Sequence, residues 1–459
     1  MRLIFPALAL ALVGCGSHQP SPAALSPPPT AAPTALAAAP AASSTSAPAA
    51  AVTPTAPPPA PEVAPPPPLK TNVIVITIDS LRADMPWAGY PHNIAPRLSA
   101  FEKTAVSYTR AYALSSYTAM SMGGYLAGRY PGELKRSGYF FSAYPAEEQL
   151  FPELLTQAGV FTMAAHAHFY FEKKAGFQQG FADYRMVAGL SVDHTTDKNI
   201  TSPRQLALAK TMLGAKANQN RQFFAWFHFM DPHDLYMHHD NIPSFGKGQR
   251  ARYDGEVYFT DQHVGELIDF IDSQPWSDHT AVIVSADHGE AFGEHHMTRH
   301  AFELWEPLVH VPLMLRIPGV SPRRIDTPRS HIDLAPTIFE LLAVAPPANF
   351  QGTSLLADVS GEGPAPARDV IIDLPRTSDN FRRRALVVGD YKLIAFGDDF
   401  RYELYNVVKD PKERIDLRRR EKERYQQLKK RYLERVKHIK DICPKMRHKL
   451  KGKRPNKAC

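Results

Sequence analysis

The sequence predicts a doubly wound α/β sandwich followed by a small antiparallel C-terminal sheet, and three observations carry that prediction. Continuous apolar, β-branched runs recur at Val73 to Asp79, Phe223 to Asp231 and Ala281 to Asp287, each ending in a carboxylate. A strand half exposed to water alternates polar and apolar residues, so runs that are apolar throughout belong to a parallel sheet covered by helices. Helical periodicity fills the intervals, over Tyr117 to Ala127, Glu147 to Gln157, Glu256 to Asp272 and Leu334 to Leu342. In open sheets of this kind ligands collect at the carboxyl ends of the strands, where three aspartates stand here.

Taken in order, the 459-residue chain opens with Arg2, an apolar run from Leu3 to Val13, and the stretch Leu12-Val13-Gly14-Cys15. Residues 1–15 have the pattern of a signal peptide and are too few to span a bilayer permanently. Leu-Val-Gly-Cys resembles a bacterial lipobox, which implies that Cys15 is acylated and anchors the protein in the lipid of the cell envelope. Gly16 is unlike an inner-membrane retention signal, so resemblance to sorted lipoproteins implies the outer membrane, facing the periplasm. Residues 16–70 are almost wholly Ala, Pro, Ser and Thr, a composition that buries too little apolar surface to offset its ordering entropy. They predict a disordered, semi-stiff spacer. No later apolar run is long enough for a transmembrane helix.

The wound domain occupies residues 71–350. A Gly/Pro break then leads into residues 351–417, with short strands expected around Arg384 to Val388 and Lys392 to Phe396. Residues 418–459 form a basic helix and tail, in which Tyr425, Leu428, Tyr432, Leu433 and Val436 recur at helical spacing between Glu421 and Lys440. Such an amphipathic helix packs on its own domain. From Arg418 onward, eighteen Lys and Arg face four acidic residues, an excess greater than the whole chain's formal charge of +7, so the body is acidic. The tail suits anionic lipid head groups or lipopolysaccharide, or is a solvated end; nucleic acid is not expected, since no recognition motif accompanies the charge. Besides Cys15, only Cys443 and Cys459 remain, either paired or as free thiols.

The chemistry concentrates in a few segments. In Ser285-Ala286-Asp287-His288-Gly289-Glu290, a carboxylate and an imidazole stand side by side after a buried strand, a suitable start for a metal site. It is joined by Asp79-Ser80-Leu81-Arg82-Ala83-Asp84, by the helix leading to Gly128-Arg129, and by Met230-Asp231-Pro232-His233-Asp234. His331-Ile332-Asp333-Leu334-Ala335-Pro336-Thr337, Gly352-Thr353-Ser354-Leu355 and Glu403-Leu404-Tyr405-Asn406 follow in order. Together these resemble the sulfatase family of the alkaline phosphatase superfamily over about Asn72 to Leu417.

That resemblance implies an alkaline phosphatase-like fold and an ester hydrolase. It implies a divalent metal held by Asp79, Asp287 and His288, with the oxygen of Thr118 as a further ligand and Asp231 as another candidate. Counting back from Gly128-Arg129 puts Thr118 at the family's nucleophile position. His233 and His300 become substrate or second-metal groups, His300 falling where many sulfatases carry a sulfate-binding lysine. Two departures qualify the likeness. Where the family has paired acids after its first strand, the second is Ser80 here, which favours Zn²⁺ or Mn²⁺ while leaving Ca²⁺ open. No cysteine lies in the wound domain, and none of Ser115, Ser116 and Ser121 has Arg four residues on, so no precursor of the sulfatase formylglycine is present. Thr118 therefore points to phosphoric esters, in a small-molecule, glycan or lipid substrate. The alternatives are a sulfuric ester hydrolase, a phosphoethanolamine-type phosphotransferase and a catalytically silent binding protein. Elsewhere, His238-His239 reads as a solvated loop, and His166 and His168 as hydrogen-bonded polar residues.

Overall fold

A computed structural model describes residues 71–191, 198–361, 363 and 365–445. The leader, the spacer and the end of the basic tail, with Cys15 and Cys459, lie outside the described residues. The first strand, β1 (Asn72–Ile78), is buried along its whole length. It is followed by β2 (Val106–Tyr112), β3 (Phe161–His166), β4 (Asp183–Met186), β5 (Phe223–Phe229) and β6 (Thr280–Ala286). A two-stranded hairpin, β7 (Ala291–Phe292) and β8 (Thr298–Arg299), precedes β9 (His310–Arg316), β10 (Arg323–Ile325) and β11 (Arg329–Ser330).

The main sheet has the order β10-β2-β9-β6-β1-β5-β3-β4, with β11 also on β2. β1 lies at its centre, parallel to β5 and to β6. Residues alternate between two cores, as the period of a strand requires. Val73, Val75, Phe224 and Trp226 face the helices α2 (Thr118–Ala127), α3 (Phe151–Gln157) and α6 (Leu334–Leu341). Ile74, Ile76, Ala225 and Phe227 face α1 (Pro96–Glu102), α4 (Ser202–Leu213) and α5 (Gln249–Asp272). Each aliphatic side chain fully buried this way contributes about 1.5–3 kcal/mol.

The sheet is mixed, because β9 runs antiparallel to both β2 and β6. Pro312 inside β9 had hidden it, since a proline argues against a central strand. Helix limits also moved. α3 begins at Phe151, four residues later than Glu147, with Pro152 in its first turn, where a missing N–H costs nothing. α5 begins at Gln249, seven residues earlier than Glu256, its polar start held by Arg250 to Asp254 one turn on.

The second sheet is antiparallel, in the order β12 (Val370–Leu374), β13 (Arg383–Val388), β14 (Tyr391–Phe396) and β15 (Arg401–Asn406). Helix α7 (Lys422–Val436) covers it with Leu428, Tyr432 and Val436, spaced by four, while Leu433 turns to solvent. Part of the tail's charge is used internally, since Arg431 and Arg435 both pair with Asp369. Cys443 is disulfide-bonded, and its partner lies outside the described residues. No helix among the described residues is long and apolar enough to cross a membrane.

One buried cation joins this sheet to the larger body. Lys392 Nζ of β14 is fully buried, 2.9 Å from Glu306 and 3.1 Å from Glu413. Replacing Lys392 by Met leaves two carboxylates without a counter-charge and is expected to cost about 3–5 kcal/mol, checked by urea unfolding.

Candidate active site

The strands deliver their terminal residues to one rim. Asp79 follows β1 and Asp287-His288 follow β6, neighbours in the sheet, so the two carboxylates arrive side by side. Thr118 is the first residue of α2, after Tyr117 in extended conformation, where the helix leaves its backbone N–H groups unpaired. Gly128 closes the same helix at φ 62, and a Cβ there would meet the Phe350 ring at 2.5 Å. Gly289 allows the turn after His288 to pass Pro307, whose carbonyl oxygen would stand 2.1 Å from any Cβ.

Asp79, Asp287 and His288 are completely buried, with one ligand atom each within 4.8 Å of the others. Thr118 Oγ1 lies 3.2 Å from Asp79 Oδ2 and 3.1 Å from His288 Nε2. The His288 ring has one tautomer that fits. Its Nδ1 is 2.9 Å from the carbonyl of Gly289 and donates there, leaving the Nε2 lone pair turned inward. That lone pair faces Asp287 Oδ2 at 3.3 Å and Asp79 Oδ1 at 3.8 Å. Asp287 Oδ2 is itself buried without a hydrogen-bond donor.

Titration follows from this crowding. Burial and then the adjacent Asp79 push Asp287 well above the usual carboxylate range. For Asp79, burial works in the same direction, but His233, His228 and His288 outweigh it and hold the group well below that range. Burial, then His300, takes His288 down to about 3, so it is a neutral imidazole at neutral pH. Two carboxylates, an imidazole lone pair and a hydroxyl thus converge with too few protons to satisfy them. That is the donor set a divalent cation requires, so the residues present fit a metal.

Ser80 occupies the place of the missing acid. At φ 57 it holds a left-handed backbone conformation, costing about 1–3 kcal/mol for a residue with a Cβ. In return its hydroxyl donates to Asp79 Oδ1 at 2.7 Å and its N–H to Asp287 Oδ1 at 3.2 Å. The remaining donors of the centre are therefore protein groups, not a third carboxylate.

His300 and His233 extend the site in a row. The His300 ring is 4.3 Å from that of His288 and 5.0 Å from that of His233. Nδ1 of His233 donates to the Asp234 carbonyl at 2.8 Å, and its Nε2 is buried without a partner. His300 Nδ1 sits 3.3 Å from both oxygens of Glu290, whose carboxyl burial lifts to about 7. The hairpin carrying His300 is strained, with left-handed φ at His295, His296, Arg299, Ala301 and Phe302. Arg299 ties it to Asp234 at 2.8 Å, and Ala301 N–H to the Ser116 carbonyl, two residues before Thr118.

Asp231 stands apart from the centre. One of its oxygens accepts from Thr201 N and the other from Ser202 N, each at 2.6 Å, so it is engaged with the start of α4, and the structure does not bring this expected ligand into the cluster of Asp79, Asp287 and His288. His239 is likewise not solvated: it is buried, 2.7 Å from Glu256 and stacked on Phe259. His168 Nδ1 accepts from Tyr170 N, and His166 packs against the rings of Phe171 and Tyr184.

The residue that sequence reasoning passed over is His228, near the end of β5, whose Nε2 is 3.3 Å from Asp79 Oδ2. Its signal was present: a polar ring inside the otherwise apolar run Phe223 to Phe229 needs a buried partner.

Comparison with known proteins gives the family and the fold. A family model described as Sulfatase matches residues 71–344, and another, described as N-sulphoglucosamine sulphohydrolase, C-terminal, matches residues 293–441. The ulvan-active sulfatase of Formosa agariphila is 23% identical over 348 residues, 66% of this chain and 68% of that protein. Two further relatives are spanned over 32% and 30% of their own length. A putative sulfatase structure from Bacteroides thetaiotaomicron superposes with a TM-score of 0.66 at 20% identity, covering 80% of this chain and 93% of that one. The phosphonate monoester hydrolase of Agrobacterium radiobacter gives 0.66 at 16% identity, covering 80% and 96%. These structural likenesses establish the fold.

Proposed function

Because the chain belongs to the sulfatase family of the alkaline phosphatase superfamily, whose members are metal-dependent ester hydrolases, we propose that it transfers a phosphoryl group from an ester to Thr118 and then to water. The observation that carries this reading is the position of Thr118 Oγ1, the hydroxyl within 3.2 Å of both Asp79 and His288. Asp79, Asp287 and His288 would hold the metal, with Zn²⁺ or Mn²⁺ favoured by the imidazole and by Ser80 in place of a third acid. Such a cation lowers the pKa of an alcohol bound to it and offsets charge on the transferred group.

The chain's own residues supply the rest. Asp79 Oδ2, 3.2 Å from Thr118 Oγ1, is placed to accept the single hydroxyl proton, the His288 Nε2 lone pair being kept for the metal, and the helix N-terminus favours negative charge at the Thr118 oxygen. His233 and His300 each donate Nδ1–H to a fixed acceptor, so each keeps a bare Nε2 that can accept from a substrate hydroxyl or from the water that releases the covalent phosphothreonine. A threonine has one hydroxyl and cannot form the aldehyde hydrate that expels sulfate, which supports phosphoric over sulfuric esters. The second reading, sulfuric ester hydrolysis, is favoured by the named activities of the relatives. A screen of aryl phosphate, phosphodiester and aryl sulfate across several metals separates the two.

For location, the lipobox-like Leu12-Val13-Gly14-Cys15 supports a lipid anchor in the bacterial outer membrane, with the basic tail available to anionic lipid. Cys15→Ser is expected to move the protein from the membrane to the soluble fraction. Unchanged fractionation would transfer the anchoring role to the tail.

A further inference from the structure

Behind Asp79 the interior is polar where two central strands should be apolar. Thr77 of β1 and His228 of β5 are register partners, 4% and 0% exposed, and Trp226 lies two residues before His228 on the same face. Trp226 Nε1 is 2.9 Å from Thr77 Oγ1, Thr77 Oγ1 is 2.7 Å from His228 Nδ1, and His228 Nε2 is 3.3 Å from Asp79 Oδ2. The indole N–H only donates, so it occupies a lone pair of the Thr77 oxygen.

The direction of the remaining bonds follows by the same accounting. An ionised Asp79 oxygen only accepts, so His228 Nε2 must carry a proton; a bare Nε2 would set lone pair against lone pair. Nδ1 of the neutral ring then accepts, and the one proton of the Thr77 hydroxyl is directed to it. A ring protonated on both nitrogens would strand that hydroxyl proton, for which the described residues give no other acceptor within reach.

We propose that His228 is a positioning residue for Asp79, its Nε2–H fixed by the Asp79 carboxylate and its ring held at Nδ1 by the Thr77 hydroxyl, which Trp226 aims. The relay Trp226–Thr77–His228–Asp79 orients the carboxylate while Ser80 holds its other oxygen, so that the unused lone pairs of Asp79 face Asp287, His288 and Thr118. It touches neither substrate nor the metal itself. Its effect on chemistry passes entirely through Asp79, and the inference rests on the metal reading given above.

The test uses the purified chain and four variants, Thr77→Val, Thr77→Ser, His228→Gln and the double variant Thr77→Val with His228→Gln, with Mn²⁺ and Zn²⁺ affinity measured by calorimetry and the tautomer and hydrogen bonding of the histidine by ¹⁵N NMR. Partners one layer behind a ligand typically change metal affinity about 10–100-fold when removed. His228→Gln is expected to weaken binding within that range. Thr77→Val, which keeps shape but removes the hydroxyl, should weaken it in the same direction, and Thr77→Ser should restore it. The double variant Thr77→Val with His228→Gln should bind no more weakly than His228→Gln alone, because both act through one bond. The His228 ring should be the Nε2–H tautomer with a hydrogen-bonded Nδ1 in the wild type, and its Nδ1 resonance should lose the signature of that bond in Thr77→Val. A folded Thr77→Val protein with unchanged affinity and an unchanged His228 Nδ1 resonance, or losses that multiply in the double variant, would overturn the relay alone. A wild type that binds no divalent metal would overturn the metal reading with it.

Discussion

Thr118→Ala is expected to lower phosphoester turnover about 10⁴- to 10⁶-fold, the scale seen when an enzyme loses its nucleophile while keeping its binding site. The side chain is buried at the start of α2 and contributes one hydroxyl to the centre, so alanine removes the attacking atom with little change in packing. Thr118→Ser keeps that atom and should retain measurable turnover, with a looser χ1 because the branching methyl is gone. Wild-type intact mass should show an unmodified threonine. With a slow substrate, rapid quenching should trap a phosphoryl adduct that Thr118→Ala cannot form.

The second large effect is expected at the metal ligands. Asp287→Asn or His288→Ala should weaken metal binding by more than the roughly 100-fold that removal of an outer partner produces, and turnover should fall in parallel. Thermal unfolding distinguishes this from misfolding. Metal at about 100 times its dissociation constant should stabilise the wild type by about 2.7 kcal/mol and leave the variants unmoved. Without metal, Asp287→Asn should be at least as stable as the wild type, because it relieves a buried carboxylate that faces Asp79 and the His288 lone pair with no donor of its own. Equal metal-induced stabilisation of wild type and both variants would move the site elsewhere.

Much of this was legible in the sequence because burial leaves a plain pattern. Runs such as Val73 to Ile78 have nowhere to go but a two-sided core, and a carboxylate at the end of each marks the rim where a site can form. The antiparallel β9 was not legible, since Pro312 argues against a central strand and pairing is decided by partners distant in the chain. For Asp231, sequence shows a carboxylate beside an active-site histidine but not the N–H groups of Thr201 and Ser202, at the start of α4, from which its oxygens accept. Thr77 and His228 stand 151 positions apart. Their pairing depends on strand register, which no local pattern encodes. Ser80 was readable as an absence, a missing acid, but its two donated hydrogen bonds follow from a left-handed turn that sequence alone does not announce for serine.

The measurement that tests the central claim most directly compares matched aryl phosphate, aryl phosphodiester and aryl sulfate as substrates of the purified protein, loaded with Mn²⁺ or Zn²⁺, beside Thr118→Ala. Phosphoester turnover should exceed sulfate turnover, and Thr118→Ala should abolish it. Robust sulfate hydrolysis that survives in Thr118→Ala would contradict both the nucleophile and the phosphate preference.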